Sequence, residues 1–289
     1  MLIDQSALHS FIGYFILGLL VCGVVVLLLI YIRRVITAIL DSAETLYASI
    51  SKRPLFVHFY LFKRKLNIEQ IRILENHFTF YNRLDAKYKR YFRHRVATFI
   101  KKKNFQGKEG FVITEEVKVL VSATAVMLTF GFRKYLIDYV KFILVYPTKY
   151  FSQINKTYHK GEYNAQLETL VLSWDNFQEG FRIEDDKLNL GIHEFAHAIH
   201  YSSIKQEDIN SIIFVDTFNE LREELAVNRH LKNELVSSNL IRSYALTNDA
   251  ELLAVVIETF IEAPQAFLGL FPEVYGKLRQ MLNFDFNGY

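Results

Sequence analysis

Two histidines and a glutamate stand together in His193-Glu194-Phe195-Ala196-His197. On a helix, residues four apart return to one face, so both imidazoles can aim at a single ion while Glu194 projects beside them. These are the mechanics of an H-E-x-x-H zinc site. Two neutral imidazoles and a carboxylate hold Zn2+ in a tetrahedral shell whose fourth position stays open for water, and the ion lowers that water's pKa toward ~7. Glu194, too far round the helix to ligate, is placed to take the water's proton, so the chemistry is metal-assisted hydrolysis. The motif lies among Leu190, Gly191, Ile192, Phe195, Ala196, Ala198 and Ile199. Such an apolar helix buries its imidazoles, and a metal partner removes the cost of doing so.

A third ligand must come from downstream, and the residues offer two groups. Glu220, Glu223 and Glu224 sit in the amphipathic stretch from Asn219 to Leu225, whereas Glu251 and Glu258 sit in the stretch from Asn248 to Glu258. Glu251 and Glu258 are a heptad apart and share one helix face. Their segment is the more apolar, so its carboxylates need a buried partner. This favours Glu251, with the earlier acids as the alternative.

The elements that must position these groups follow from patterning. The run from Phe11 to Ile32 is uncharged and long enough to cross a hydrocarbon core of roughly 30 Å. It predicts a single transmembrane helix (11–32) after an N-terminal tail (1–10). No Lys or Arg precedes Arg33, whereas Arg33, Arg34, Lys52 and Arg53 follow. The positive-inside rule then puts the N-terminus outside and the bulk in the cytoplasm of a bacterial inner membrane. Residues 33–75 read as a partly helical juxtamembrane linker, broken at Pro54 and basic at Lys63-Arg64-Lys65. Residues 76–289 read as the folded domain.

Within that domain, Val117 to Phe132 and Leu252 to Ile261 are apolar but carry Lys118, Ser122, Thr124 or Glu258, which suits buried helices. Thr114-Glu115-Glu116 opens the first of them as a capped start. Cations from Arg83 to Lys103 alternate with Tyr88, Tyr91, Phe92 and Phe99, which predicts aromatics toward a core and cations toward solvent. Headgroup or phosphate contact is the functional alternative for that face. Phe142–Tyr146 and Thr169–Trp174 are short β-rich runs. Helices bracketing a small sheet give an α+β class, mainly helical. The one cysteine, Cys22, permits no intrachain disulfide and no thiolate cluster, and a net charge of +3 disfavours nucleic acid as a partner.

Several stretches together resemble the Mlc titration factor A family. They are Leu172-Ser173-Trp174, the His193–His197 motif, Ala250-Glu251 through Pro264, and Phe271-Pro272-Glu273-Val274-Tyr275. Phe105-Gln106-Gly107, Thr114-Glu115-Glu116 and Tyr146-Pro147 match more weakly. The likeness runs from roughly Phe78 to Phe286, leaving the span outside it. It implies a zincin-like peptidase whose active site is similar to that of the anthrax lethal factor protease domain. The zinc ligands it implies are His193, His197 and Glu251. Tyr244, seven residues before Glu251, would donate its hydroxyl to the oxyanion of the tetrahedral intermediate, and Glu258 would orient a histidine. The implied activity is aminopeptidase-like on peptide or protein substrates, and the implied partner is a glucose-responsive transcription repressor. His200 departs from the pattern, standing where the family has Asp, and Leu252-Leu253 replace aromatics. Substrate backbone is expected to pair with an edge strand within Leu170–Trp174.

Overall fold

The computed structural model describes residues 5–152, 156–182, 189–238, 240–242, 245 and 247–286. They form two units, one ending at Leu55 and one beginning at Phe56.

The first unit is helix α1 (Gln5–Ser51). Its most apolar window has a mean hydropathy of 3.1 and none of it is buried, so this one N-terminal helix is long and apolar enough to cross a membrane. The helix does not stop at the end of the apolar run but continues through Arg33 and Arg34 to Ser51. It ends where Lys52 turns left-handed (φ 53°), two residues ahead of Pro54.

The second unit is α+β and mainly helical. Helices α2 (Ile68–His77), α3 (Thr79–Arg83) and α4 (Ala86–Lys102) lead to strand β1 (Asn104–Gly107) and helix α5 (Glu115–Leu128). Thr114 caps α5, accepting from the Val117 amide, as the sequence predicts. Strands β2 (Phe142–Tyr146), β3 (Tyr150–Ser152), β4 (Thr157–His159), β5 (Gly161–Asn164) and β6 (Thr169–Ser173) follow. The remaining helices are α6 (Trp174–Arg182), α7 (Leu190–Lys205), α8 (Ile209–Val227), α9 (Arg229–Ser237), α10 (Asp249–Glu262), α11 (Pro264–Leu270) and α12 (Pro272–Met281). Helix α5 from Val119 to Leu128 and helix α10 from Leu252 to Ile261 are buried throughout, so both apolar runs are core helices.

The main sheet has the order β1-β2-β6-β5. Strands β1, β2 and β6 run parallel, while β5 is antiparallel to β6 with Tyr163 opposite Leu170. This corrects one expectation. Leu170 to Ser173 form no edge: β6 lies between β2 and β5 and is buried along its length, and Trp174 already belongs to α6. A strand covered on both faces and paired on both sides reads as a continuous apolar run, which is why it stood out. The edges are β1 and, next to β6, β5, whose sequence Gly161-Glu162-Tyr163-Asn164 carries no such signal.

A second correction concerns α4. Cations were expected on the solvent side, yet Arg95 is fully buried. Its guanidinium donates to the carbonyls of Thr129 and Phe130 at 2.9 and 3.0 Å, just past the end of α5, and lies 4.4 Å from the Tyr135 ring centre. The last carbonyls of a helix lack intrahelical partners and bear partial negative charge, so a buried cation satisfies them. Lys103 is likewise buried and donates to the Ile137 carbonyl at 3.0 Å.

Candidate metal centre

Helix α7 lies against α5, α8 and α10 on its flanks and against β5 and β6 of the sheet. Asn189 fixes its start: the side chain accepts from the Ile192 amide at 3.1 Å and donates to the Gly180 carbonyl at 3.0 Å. The Asn189 amide in turn donates to Glu258 of α10, which ties the two helices at one point. At the other end of α10, Asn248 caps the helix by accepting from the Glu251 amide, placing Glu251 in the first turn, where a carboxylate is favoured.

Packed this way, α7 and α10 bring three side chains together. The Nε2 atoms of His193 and His197 are 3.2 Å apart. Glu251 sets one carboxylate oxygen 3.2 Å from His193 Nε2 and the other 3.4 Å from His197 Nε2. For a tetrahedral ion with ligand bonds of about 2.0–2.1 Å, neighbouring ligand atoms stand about 3.3 Å apart. The donor set and its spacing therefore fit a divalent cation of zinc's size. Burial lowers the pKa of His193, but hydrogen bonding to Glu251 and Glu258 outweighs it and raises the ring to about 9. Burial likewise opposes the charge of Glu251, and the two histidines overcome it, holding the carboxyl at about 2. The three side chains thus converge on a point where positive charge is favoured.

A family model described as glucose-regulated metallo-peptidase M90 matches residues 57–283. The chain belongs to this family. The resemblance read from the sequence is the same one, and the match begins just after the first unit. An uncharacterized protein from Synechocystis sp. (strain ATCC 27184 / PCC 6803 / Kazusa) is 26% identical over 242 residues, covering 76% of this chain and 85% of the relative. The chain is therefore a metallopeptidase-family protein with a His/His/Glu cluster able to hold a metal ion, joined to one helix able to span a membrane.

The M90 cluster is supported from behind. Glu258 is buried, with Oε2 3.5 Å from His193 Nδ1 and 2.5 Å from the Arg242 guanidinium. Holding Nδ1 leaves Nε2 to face the centre, as outer carboxylates do for metal-bound histidines. Glu194 is buried beside the cluster rather than in it. Burial pushes its pKa above the ordinary carboxylate value, even though His193, His197 and the Tyr163 amide of β5 all favour its charged form. Gly161 of β5 passes so close that a β-carbon there would stand 3.0 Å from Glu194 Cγ and 3.1 Å from Oε1.

The remaining sequence candidates separate cleanly. Glu220 and Glu224 turn away and pair with Lys277 at 3.4 and 3.6 Å, and Glu223 is exposed, so none of the alternative acids joins the histidines. His200 packs on Phe218 of α8 with ring centres 5.1 Å apart and is not one of the three converging side chains. Tyr244 lies outside the described residues. Sequence reasoning missed Asn189, Arg242, Gly161 and Tyr163. Asn189 carried a signal as a capping residue before an apolar helix, whereas the other three reach the site through tertiary packing alone. It also missed Tyr150 of β3, a buried phenol whose pKa is driven up by burial and by the charges of Glu162 and Glu194.

Proposed function

We propose that the protein is a membrane-tethered zinc peptidase that hydrolyses peptide bonds in an aminopeptidase-like manner. Residues 1–10 form an external tail and residues 11–32 the span. Residues 33–55 lead from the span to the peptidase domain, which begins at Phe56 and lies in the cytoplasm of a bacterial inner membrane. The observation that carries this reading is the convergence of His193, His197 and Glu251 to 3.2–3.4 Å beside a buried Glu194. The orientation follows from the cations that flank the span on one side only.

His193, His197 and Glu251 would hold the zinc ion, which would supply Lewis acidity for the scissile carbonyl and for a water molecule. Glu194 accepts the proton of that water and returns it to the leaving amine, a shuttle for which a carboxyl with a raised pKa is suited. Glu258 and Arg242 keep His193 in the tautomer whose Nε2 faces inward. Tyr244 donates its hydroxyl to the oxyanion as it forms. The outer side of β5, antiparallel and unpaired within the sheet, receives substrate backbone, which places the scissile bond over Gly161 and Glu194.

The test uses the purified full chain in detergent. Metal analysis finds about one zinc per chain, a count expected from one closed ligand set. In Glu194→Gln the metal stays bound while cleavage of a short-peptide library falls by about 10²–10⁴. A Glu194→Gln protein as active as the wild type overturns the proposal.

A further inference from the structure

The segment that opens the second unit carries a feature the peptidase chemistry does not use. From Val57 to Lys65 it is irregular, yet it is pinned at three points. The His58 ring stacks on Tyr91 with centres 4.7 Å apart, the Tyr60 hydroxyl accepts from the buried Arg95, and the Arg64 amide donates to His94 Nδ1 at 2.8 Å. Between these points three large apolar side chains face out. Phe59 is 71% exposed, Leu61 78% and Phe62 90%. Directly behind them come Lys63, Arg64 and Lys65, all exposed and none in an ion pair among the described residues. Large apolar side chains held rigidly in water beside a cluster of cations have the composition of a membrane-interfacial patch.

We infer that Phe59, Leu61 and Phe62, with Lys63, Arg64 and Lys65, form a docking surface for an anionic lipid bilayer, seating the peptidase unit against the membrane that α1 crosses. The reading rests on α1 being a span. Chain continuity then supplies the partner: α1 carries 19 residues, about 28 Å, past the apolar run, and the eight residues from its end to Phe59 can span at most about 28 Å, enough to return to the same leaflet. The apolar side chains enter the headgroup–acyl boundary, and the cations meet lipid phosphates and carboxylates. Cations at an anionic surface strengthen binding by about fivefold each.

The test places full-length protein in nanodiscs of brominated lipid, either phosphatidylcholine alone or mixed with phosphatidylglycerol. Phe62→Trp adds a reporter, and the wild type, whose only tryptophan is Trp174, gives the background. Docking predicts that the added emission is blue-shifted and quenched by bromine in the anionic discs, less so in the neutral ones. Replacing Lys63, Arg64 and Lys65 by Gln reverses the quenching. Unquenched emission in anionic discs overturns the inference, including emission that is blue-shifted because the introduced indole packs on protein. Quenching that is equal in both lipids and indifferent to the Gln replacements also overturns it, since the cations then do nothing. Whether the chain co-purifies with the discs at all reports separately on α1, so failure of the tether and failure of docking are distinguishable.

Discussion

Glu194 has its position because β5 passes over it without a side chain. At Gly161 a methyl group would stand 2.7 Å from Leu190 Cδ1 and within 3.1 Å of Glu194, closer than side-chain atoms settle without shifting. Gly161 is not left-handed, so the effect of a substitution there is one of space alone. Gly161→Ala should therefore displace the Glu194 carboxylate and lower kcat by about 10²-fold, the scale of an ångström-sized misplacement. Zinc content and melting temperature should change little, as metal analysis and thermal unfolding will report. Glu258→Gln should behave in the opposite way. Losing the charge that holds His193 Nδ1 weakens metal retention by about 10–100-fold, read by competition with a chelator, while a saturating metal supply restores much of the activity. That His193, His197 and Glu251 would cluster was legible in the sequence because a helix puts residues four apart on one face, and because an apolar segment seldom carries a glutamate without a partner. Gly161 and Arg242 were not legible, since nothing local distinguishes a glycine under a carboxylate or an arginine behind one.

At the scale of elements, the apolar runs made α5, α10, β2 and β6 readable, the helices and β6 almost wholly buried and β2 buried at Ile143 and Val145. The strands that were missed, β1, β3, β4 and β5, are three or four residues long and carry no sustained apolar run, so they owe their state to the neighbours they pair with. Helix α4 shows the limit of charge as a guide, because the Thr129 and Phe130 carbonyls just past α5 hold Arg95 inside. The same cluster makes stability depend on pH. Burial, and then the charges of Arg95 and Lys87, lower the pKa of His58 from 6.5 to about 3. The unfolded chain therefore binds a proton that the folded chain refuses across that window. Stability is complete above pH 6.5 and falls with acidification by up to about 1.4 kcal/mol per pH unit through this residue. Denaturation in detergent, followed by Trp174 emission between about pH 6.5 and 4.5, should show a shallower slope for His58→Gln than for the wild type.

At the scale of the whole chain, α1 and the M90 unit are separable by composition. Removing residues 1–51 should move the protein from the carbonate-resistant membrane fraction to the supernatant. Peptide cleavage per zinc should persist within about threefold, because no residue of the cluster lies before Phe56 and distant sites act nearly independently. The 47 residues of α1 make a rod of about 70 Å, of which a bilayer's hydrocarbon would take about 30 Å. The catalytic unit is leashed within roughly a few nanometres of one leaflet and shares that thin layer with whatever else is anchored there. Its encounters become a search in two dimensions, in which a polypeptide emerging from the same bilayer is met far more often than one free in bulk solution.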